Sequence, residues 1–365
     1  MALNKNDLVQ LAKIAMTANP SAPTAYSVNG TNLTYAAINE TLREELNALA
    51  STHALYRENK NLIFSIMEEV LDDVLPKKVA DRYADLAEVK VFAQGDKPEF
   101  KRNRTNNRRA KQFITRVGLA GRYEVFKLSK KTESFQVPTS ALGGAAQIGL
   151  EEYLDGRIDM AEVLNIVLEG IDETIHEEVM KAMEGAVNQL PTNNQASVTG
   201  FDEQVMDHLI SVVAAYGTPV IYCTREFAVR MIPNANYITE SMKETLWNNG
   251  WLGNYKGTKV VILEQSFTDE TNSMKVVNPG HCWIIPTGVN GKPVYVAMEG
   301  QTLMKEHEND DWSRDIQVYK KVGVVAMLNN SMAHYLDLSL DNKLLVEMPE
   351  AANAIESAPS YIETE

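Results

Sequence analysis

Apolar residues recur at helical spacing in three stretches of the chain. Within residues 3–17, Leu8, Leu11, Ala12 and Ala15 fall on one side of a short amphipathic helix. From Ala36 to Leu75 the stripe runs through Ile38, Leu42, Leu46 and Leu49, then Ile63, Met67, Val70, Leu71 and Val74, and Pro76 is expected to stop it. The third stretch, residues 157–190, is the clearest. Val163, Leu164, Val167, Leu168, Ile171, Ile175, Val179, Met183 and Val187 form one stripe; Asp159 with Glu162 forms a capping pair, and Pro191 closes the run. A helix of about 30 residues spans roughly 45 Å, long for a compact domain. Its other face carries Glu162, Glu169, Asp172, Glu173, Glu177, Glu178 and Glu184, an acidic ridge.

Between the second and third stripes the period changes. Glu88–Ala93, Gln112–Val117, Tyr123–Leu128 and Ser134–Val137 are short, β-leaning and separated by Gly, Asn and Lys, with Gly118 and Gly121 bracketing a turn. This pattern predicts a long two-stranded excursion with its tip near 95–111, and a hairpin that long needs a surface to lie against. After Pro191 the chain reads as α/β. Asp202 caps a helix that Gly217 ends, Pro219–Cys223 and Gly257–Leu263 are buried-type strands, and helices are expected at 225–231 and 239–249. The last third is β-rich, at His281–Ile285, Val294–Met298 and Ile316–Val325. Residues 19–30 read as a breaker-rich linker and the tail from Glu347 as a loosely held acidic extension. No internal repeat is visible.

Charge sharpens this picture. The 365 residues carry a formal net charge of −14, but Lys77–Lys131 holds 16 basic against 6 acidic residues, a net +10, leaving −24 on the remainder. The run Lys97–Lys111 concentrates seven positive charges against one negative. Such a stretch points to nucleic acid, to a solvated loop, or to the acidic body of another copy of the chain, where it would set orientation more than affinity. Cys223 and Cys282 are the only cysteines, which excludes a disulfide scaffold and a four-cysteine zinc site and suits a reducing cytosol. With no secretion signal and no apolar run of about 18 residues, a soluble intracellular protein is expected.

Signatures of chemistry are missing. Gly288–Pro293 has the wrong spacing for a phosphate-binding loop, and there is no G-x-G-x-x-G, G-x-S-x-G or H-E-x-x-H. The six histidines are scattered. His307–Asp311 reads as a solvated acidic loop rather than a metal site, and alternation along a strand would point His281 and Cys282 to opposite faces. No catalytic residue, cofactor or metal is expected.

Three segments carry a resemblance: Tyr216–Thr224 leading into a helix, Trp247–Ile262, and the closing run Asp315–Leu328. Together with the order of helical N-terminus, basic hairpin, spine helix and α/β unit, they resemble the major capsid protein of tailed double-stranded-DNA bacteriophages, the Hong Kong ninety-seven type of fold, over roughly 85–340. The fold so implied is α+β, the tailed-phage major capsid fold. Its parts would be an N-terminal helical arm (1–84), an extended β-hairpin loop (85–137), and a peripheral domain with the spine helix (138–199). An axial domain (200–275), a peripheral β return (276–321), an axial return (322–346) and an acidic C-terminal tail (347–365) would follow.

The resemblance implies pentamers and hexamers of the chain itself closing an icosahedral procapsid that expands on packaging DNA, with assembly in the host cytoplasm and a place in the virion. It also implies a portal and decoration proteins as partners, with DNA contacted non-specifically and no membrane. With about 80 residues before the hairpin, scaffolding is expected as a separate protein rather than a removed propeptide. Lys101, Arg102, Arg104, Arg108, Arg109 and Lys111 are expected to meet Glu169, Asp172, Glu173 and Glu177 of a neighbouring copy. The alternatives are an encapsulin-type nanocompartment shell sharing the fold, a nucleic-acid-binding protein using residues 97–116, and a hydrolase without a recognisable motif. For the second of these, Phe100 and Phe113 are too few for a stacking platform.

Overall fold

The computed structural model describes residues 4–17, 27–28, 31–32, 35–103, 132–148, 160–232, 239–269, 271–287, 291–309 and 314–341. The chain divides into two compact units. The first comprises Met1–Gln189 and Val289–Leu328, the second Leu190–Gly288 and Asn329–Glu365.

In the first unit, helix α1 (Lys5–Thr17) buries Leu8, Val9, Leu11, Ala12 and Ala15, one residue more than the expected face. A two-stranded ribbon, β1 (Ser27–Val28) with β2 (Thr31–Asn32), precedes α2 (Tyr35–Leu49) and α3 (His53–Arg82). Helix α3 starts at Thr52, whose hydroxyl accepts from the Leu55 amide at 3.3 Å. It runs straight through Pro76 to Arg82, which corrects the expected stop. An interior proline costs about 3 kcal/mol. Leu75, Val79 and Tyr83 are all buried, and abandoning the helix at Pro76 would expose them. The expected N-terminal arm is therefore packed structure: α1, α2 and α3 lie against one another and share a core with the first unit.

The first unit's sheet runs β3 (Ala87–Phe92), β12 (Val294–Glu308), β13 (Arg314–Ala326), β6 (Ser140–Ile148), with β3 parallel to β12 and the other pairs antiparallel. A bulge between Glu299 and Leu303 bends β12 where it crosses α3. There Asp72 accepts from the amide (2.9 Å) and hydroxyl (2.6 Å) of Thr302 and from Lys320 Nζ (2.6 Å), while Glu68 accepts from the Met304 amide at 2.7 Å. Lys320 is 1% exposed, and its ammonium group is satisfied by this pairing and by a bond to the Gly300 carbonyl. Gly323 of β13 passes the Pro138 carbonyl so closely that any Cβ would overlap it. The spine helix α4 (Met160–Ala186) packs on β13, α2 and α3, burying Val163, Leu164, Leu168, Ile175, Val179 and Met183.

The second unit is a six-stranded mixed sheet in the order β7 (Gln195–Val198), β14 (Ala333–Asp337), β11 (His281–Thr287), β8 (Thr218–Cys223), β10 (Thr258–Ile262), β9 (Asn254–Tyr255). Helix α5 (Glu203–Ala214) is capped by Asp202, as its sequence predicts, and covers one face with Met206, Leu209 and Val213. Short α6 (Arg225–Arg230) is capped by Thr224; α7 (Glu240–Asn249) is capped by Thr239 and ends at Gly250 with φ of 80°. The Tyr335 hydroxyl donates to the Gly200 carbonyl and accepts from the Asp202 amide, fixing the entry to α5.

Three expected boundaries move. His281–Thr287 is a central strand of the second unit, held between β14 and β8, not part of a return to the first. Residues 322–326 stay in the first unit because β13 keeps pairing until Ala326 meets Val294. Residues 190–199 join the second unit because β7 pairs in parallel with β14. The expected strands Gln112–Val117 and Tyr123–Leu128, the Gly118/Gly121 turn, Asp159 and the tail from Glu347 lie outside the described residues.

Candidate functional site

The strands on either side of residues 104–131 meet at an aromatic anchor. Strands β4 (Glu99–Asn103) and β5 (Thr132–Gln136) pair antiparallel, placing Phe100 opposite Phe135. Phe100 is completely buried, with ring centroids 5.2 Å from Tyr295, 5.6 Å from Phe92 and 6.1 Å from Phe135. Tyr295 and Phe135 close the cluster edge-to-face at 4.8 Å, and Lys90 Nζ lies 4.8 Å from the Phe100 centroid. Residues 99–103 are thus the root of the excursion and not its tip, a correction to the predicted 95–111. A second tie sits beside the root. Glu299 accepts from the Thr139 hydroxyl (2.6 Å), the Gly95 amide (3.1 Å) and Lys321 (3.3 Å). The Thr139 bond above all, with the Gly95 amide, holds the Glu299 carboxyl below the usual range.

Of the basic residues predicted to reach a neighbour, Lys101 is exposed on β4 and Arg102 belongs to the same strand. Arg104, Arg108, Arg109 and Lys111 lie outside the described residues. On α4, Glu169 and Glu173 are exposed, and Glu177 pairs with Lys181 one turn on at 2.5 Å. That hydrogen bond raises the Lys181 pKa, while burial, then the neighbouring Glu177 charge, raises that of Glu178.

Asp172 is different: it is 5% exposed and faces α3, 3.1 Å from Arg82 and 3.4 Å from Lys78. Next to it the Tyr83 hydroxyl hydrogen-bonds His176 Nδ1. The acidic ridge therefore loses Asp172 to an internal pair. The signal was in the spacing. Asp172 sits four residues after Leu168 and three before Ile175, within the apolar stripe and not opposite it.

Beside the ridge, α4 and the strands β6 and β13 enclose an apolar groove of about 280 Å³. Sequence reasoning missed it because β6 reads as small residues without a strand's β-branched pattern.

In the second unit the cysteines face each other across β8 and β11 and are fully buried in the core beneath α5. Burial, and then Cys223, pushes the Cys282 thiol up. His281 points to the other face, as alternation predicts, and its Nδ1 lies 2.9 Å from His334 Nε2, beside the Trp283 ring. Burial, followed by the neighbouring His281, lowers the His334 pKa to about 3; burial likewise lowers His281, partly countered by Asp341. Helix α7 buries no residue, and its Trp247 is 90% exposed. His307, expected in a loop, lies in strand β12 opposite Asp315. Among the described residues no group of three His, Cys, Asp or Glu is placed to hold a metal, and no helix is long and apolar enough to cross a membrane.

Residues 10–335, which take in the spine helix, the β4–β5 pair and most of both units, match a capsid-protein family. The family model described as "SPbeta prophage-derived putative capsid protein YonB" matches residues 10–335, and the chain belongs to that family. Its role is structural. No curated protein matches the sequence. Among solved structures, a phage-related protein from Bordetella bronchiseptica RB50 is similar at 12% identity and a TM-score of 0.47, covering 76% of this chain and 98% of that one. A chain of Microbacterium phage Oxtober96 is similar at 10% identity and a TM-score of 0.46, covering 70% and 90%. The holo-SrpI encapsulin complex from Synechococcus elongatus is similar at 10% identity and a TM-score of 0.42, covering 75% and 92%.

Proposed function

We propose that this chain is the repeating subunit of an icosahedral phage head, assembling with copies of itself as pentamers and hexamers around double-stranded DNA. The observation that carries this reading is membership of a capsid family over residues 10–335. Charge supports the mode of assembly. A segment of net +10 on a body of −24 is complementary to its own copies. A container of net −14 also does not grip DNA strongly, because phosphate contacts need clustered cations. In this scheme Lys101, Arg102, Arg104, Arg108, Arg109 and Lys111 of one copy meet Glu169, Glu173 and Glu177 of the next. A separate scaffolding protein, a portal and decoration proteins complete the particle, which is built in the host cytoplasm. The nucleic-acid reading of 97–116 is weakened further because Phe100 is buried in the anchor, leaving Phe113 as its one remaining aromatic.

Electron microscopy of the purified chain tests the proposal. Closed shells are expected, and Arg108→Glu with Arg109→Glu is expected to abolish them while the subunit's circular dichroism stays unchanged. Subunits that remain monomeric at high concentration would overturn it, and nucleic-acid-free shells filled with a cargo enzyme would favour the nanocompartment reading.

A further inference from the structure

Cys223 and Cys282 are the only cysteines of the chain, and the fold sets them directly opposite each other on β8 and β11, the two central strands of the second unit's sheet. Residues 224–281 lie between them in sequence. Directly opposed residues of an antiparallel pair project to the same side of the sheet. Here that side is the core beneath α5, where both cysteines are fully buried.

Backbone hydrogen bonds define the kind of pair. The Cys223 carbonyl accepts from the Leu263 amide at 2.9 Å, so Cys223 turns its backbone groups toward β10 and away from β11. On the facing strand the Gly280 carbonyl accepts from the Asp337 amide at 2.9 Å, toward β14. Cys282, two residues further along, turns the same way, away from β8. The cysteines therefore form a non-hydrogen-bonded pair, the closer of the two antiparallel kinds, with Cα atoms about 4.5 Å apart. A disulfide needs Cα atoms roughly 4.4–6.8 Å apart and side chains that point toward each other. Both conditions are met, and the Cys282 thiol is already hydrogen-bonded to Cys223.

We propose that Cys223 and Cys282 are a modification site, at which hydrogen peroxide closes a cross-strand disulfide in the folded chain. One sulfur, as its thiolate, attacks a peroxide oxygen. The O–O bond breaks, and the departing hydroxide takes up the thiol proton as water, leaving a sulfenic acid. The second sulfur attacks the sulfenic sulfur, the S–O bond breaks, and the second thiol's proton leaves with that hydroxyl as another water. The thiols lose two electrons and one peroxide gains them.

Burial, followed by the contact with Cys223, favours the protonated Cys282 thiol, and only a thiolate reacts. Closure is therefore slow and takes a small neutral oxidant. The finished bridge is as deeply buried as the thiols were, so reductants cannot reach it in the folded chain. It ties β8 to β11 and closes residues 224–281 into a loop, which restricts the unfolded chain. The site lies within a single subunit and does not depend on the shell reading.

Peptide mapping of the full-length chain tests this, after hours in millimolar hydrogen peroxide, a catalase quench, and unfolding in an alkylating reagent. The tryptic peptide carrying Cys223 is expected joined to the one carrying Cys282, with neither cysteine alkylated. Dithiothreitol should reopen the bridge only once the chain is unfolded. The urea midpoint should rise in the treated parent and not in treated Cys282→Ala. That variant keeps the parent's methionines, among them Met274 at 64% exposed, and so controls for their oxidation. If it loses its circular dichroism, Cys223→Val, which keeps the core apolar, takes its place.

Two alkylated cysteines after treatment overturn the proposal. So does sulfinic or sulfonic acid at either position in place of the bridge, or a bridge between two chains. Reopening by dithiothreitol in the folded chain, or a midpoint that does not rise, overturns it equally.

Discussion

Asp172 shows how one side chain can be misread and what it then controls. Its carboxylate is buried between Arg82 and Lys78, so Asp172→Asn should remove the negative charge that faces both cations. A loss of about 2 kcal/mol is expected, discounted for the partial exposure of Lys78, and urea denaturation would measure it. If the variant is as stable as the parent, the pair contributes nothing net.

His334 and His281 give a second residue-scale expectation. Both pKa values lie below the ordinary 6.5 in the folded chain, so the folded state binds fewer protons than the unfolded one. Their contribution is complete above about pH 6.5 and is lost as pH falls through the lowered pKa values, at up to ~1.4 kcal/mol per pH unit for each histidine. Glu299 adds to the loss only below about pH 4.5, its carboxyl being held down in the folded chain. Denaturant midpoints at pH 7.5, 6.0 and 5.0 should therefore fall, and His334→Gln should flatten that slope. The cysteines, fully buried, should react with thiol reagents only in denaturant.

Among the elements, the spine helix was legible because nine apolar residues repeat on one stripe, and the structure buries most of them. Leu168, 4% exposed, should not tolerate aspartate. An unpaired buried carboxylate costs several kcal/mol, and soluble, folded Leu168→Asp would show the stripe to be surface. The base of segment 104–131 was half legible: the Ser134–Val137 pattern pointed to β5, but neither β4 nor the aromatic anchor was readable, because Phe92, Phe100, Phe135 and Tyr295 come from four separate segments. Phe100→Ala should cost about 3 kcal/mol by calorimetry.

Other elements escaped for stated reasons. Strands β6, β7 and β14 are glycine- and alanine-rich or only four to nine residues long, so no period-2 signal develops. The Pro76 rule was overridden by the apolar residues that follow it.

At the scale of the whole molecule, the charge partition and the order of elements were readable, and they led to the family. The boundaries between units were not, because they depend on which strands pair across long sequence separations: β7 with β14, and β3 with β12. Assembly held by a +10 segment on a −24 body should weaken with salt, since exposed charges are screened beyond about 8 Å at physiological ionic strength. Light scattering should show the onset of assembly moving to higher protein concentration as salt rises. An onset indifferent to salt would mean the basic stretch serves another purpose.

The long reach from β3 to β12 has a consequence for synthesis. Ala87 must wait for Val294, so a chain still on the ribosome has no first sheet until some two hundred further residues have emerged. Translation products truncated before β12 lack the sheet on which both the aromatic anchor and the groove depend. Unfinished polypeptides would thereby lack the surfaces that the proposed shell requires of every copy.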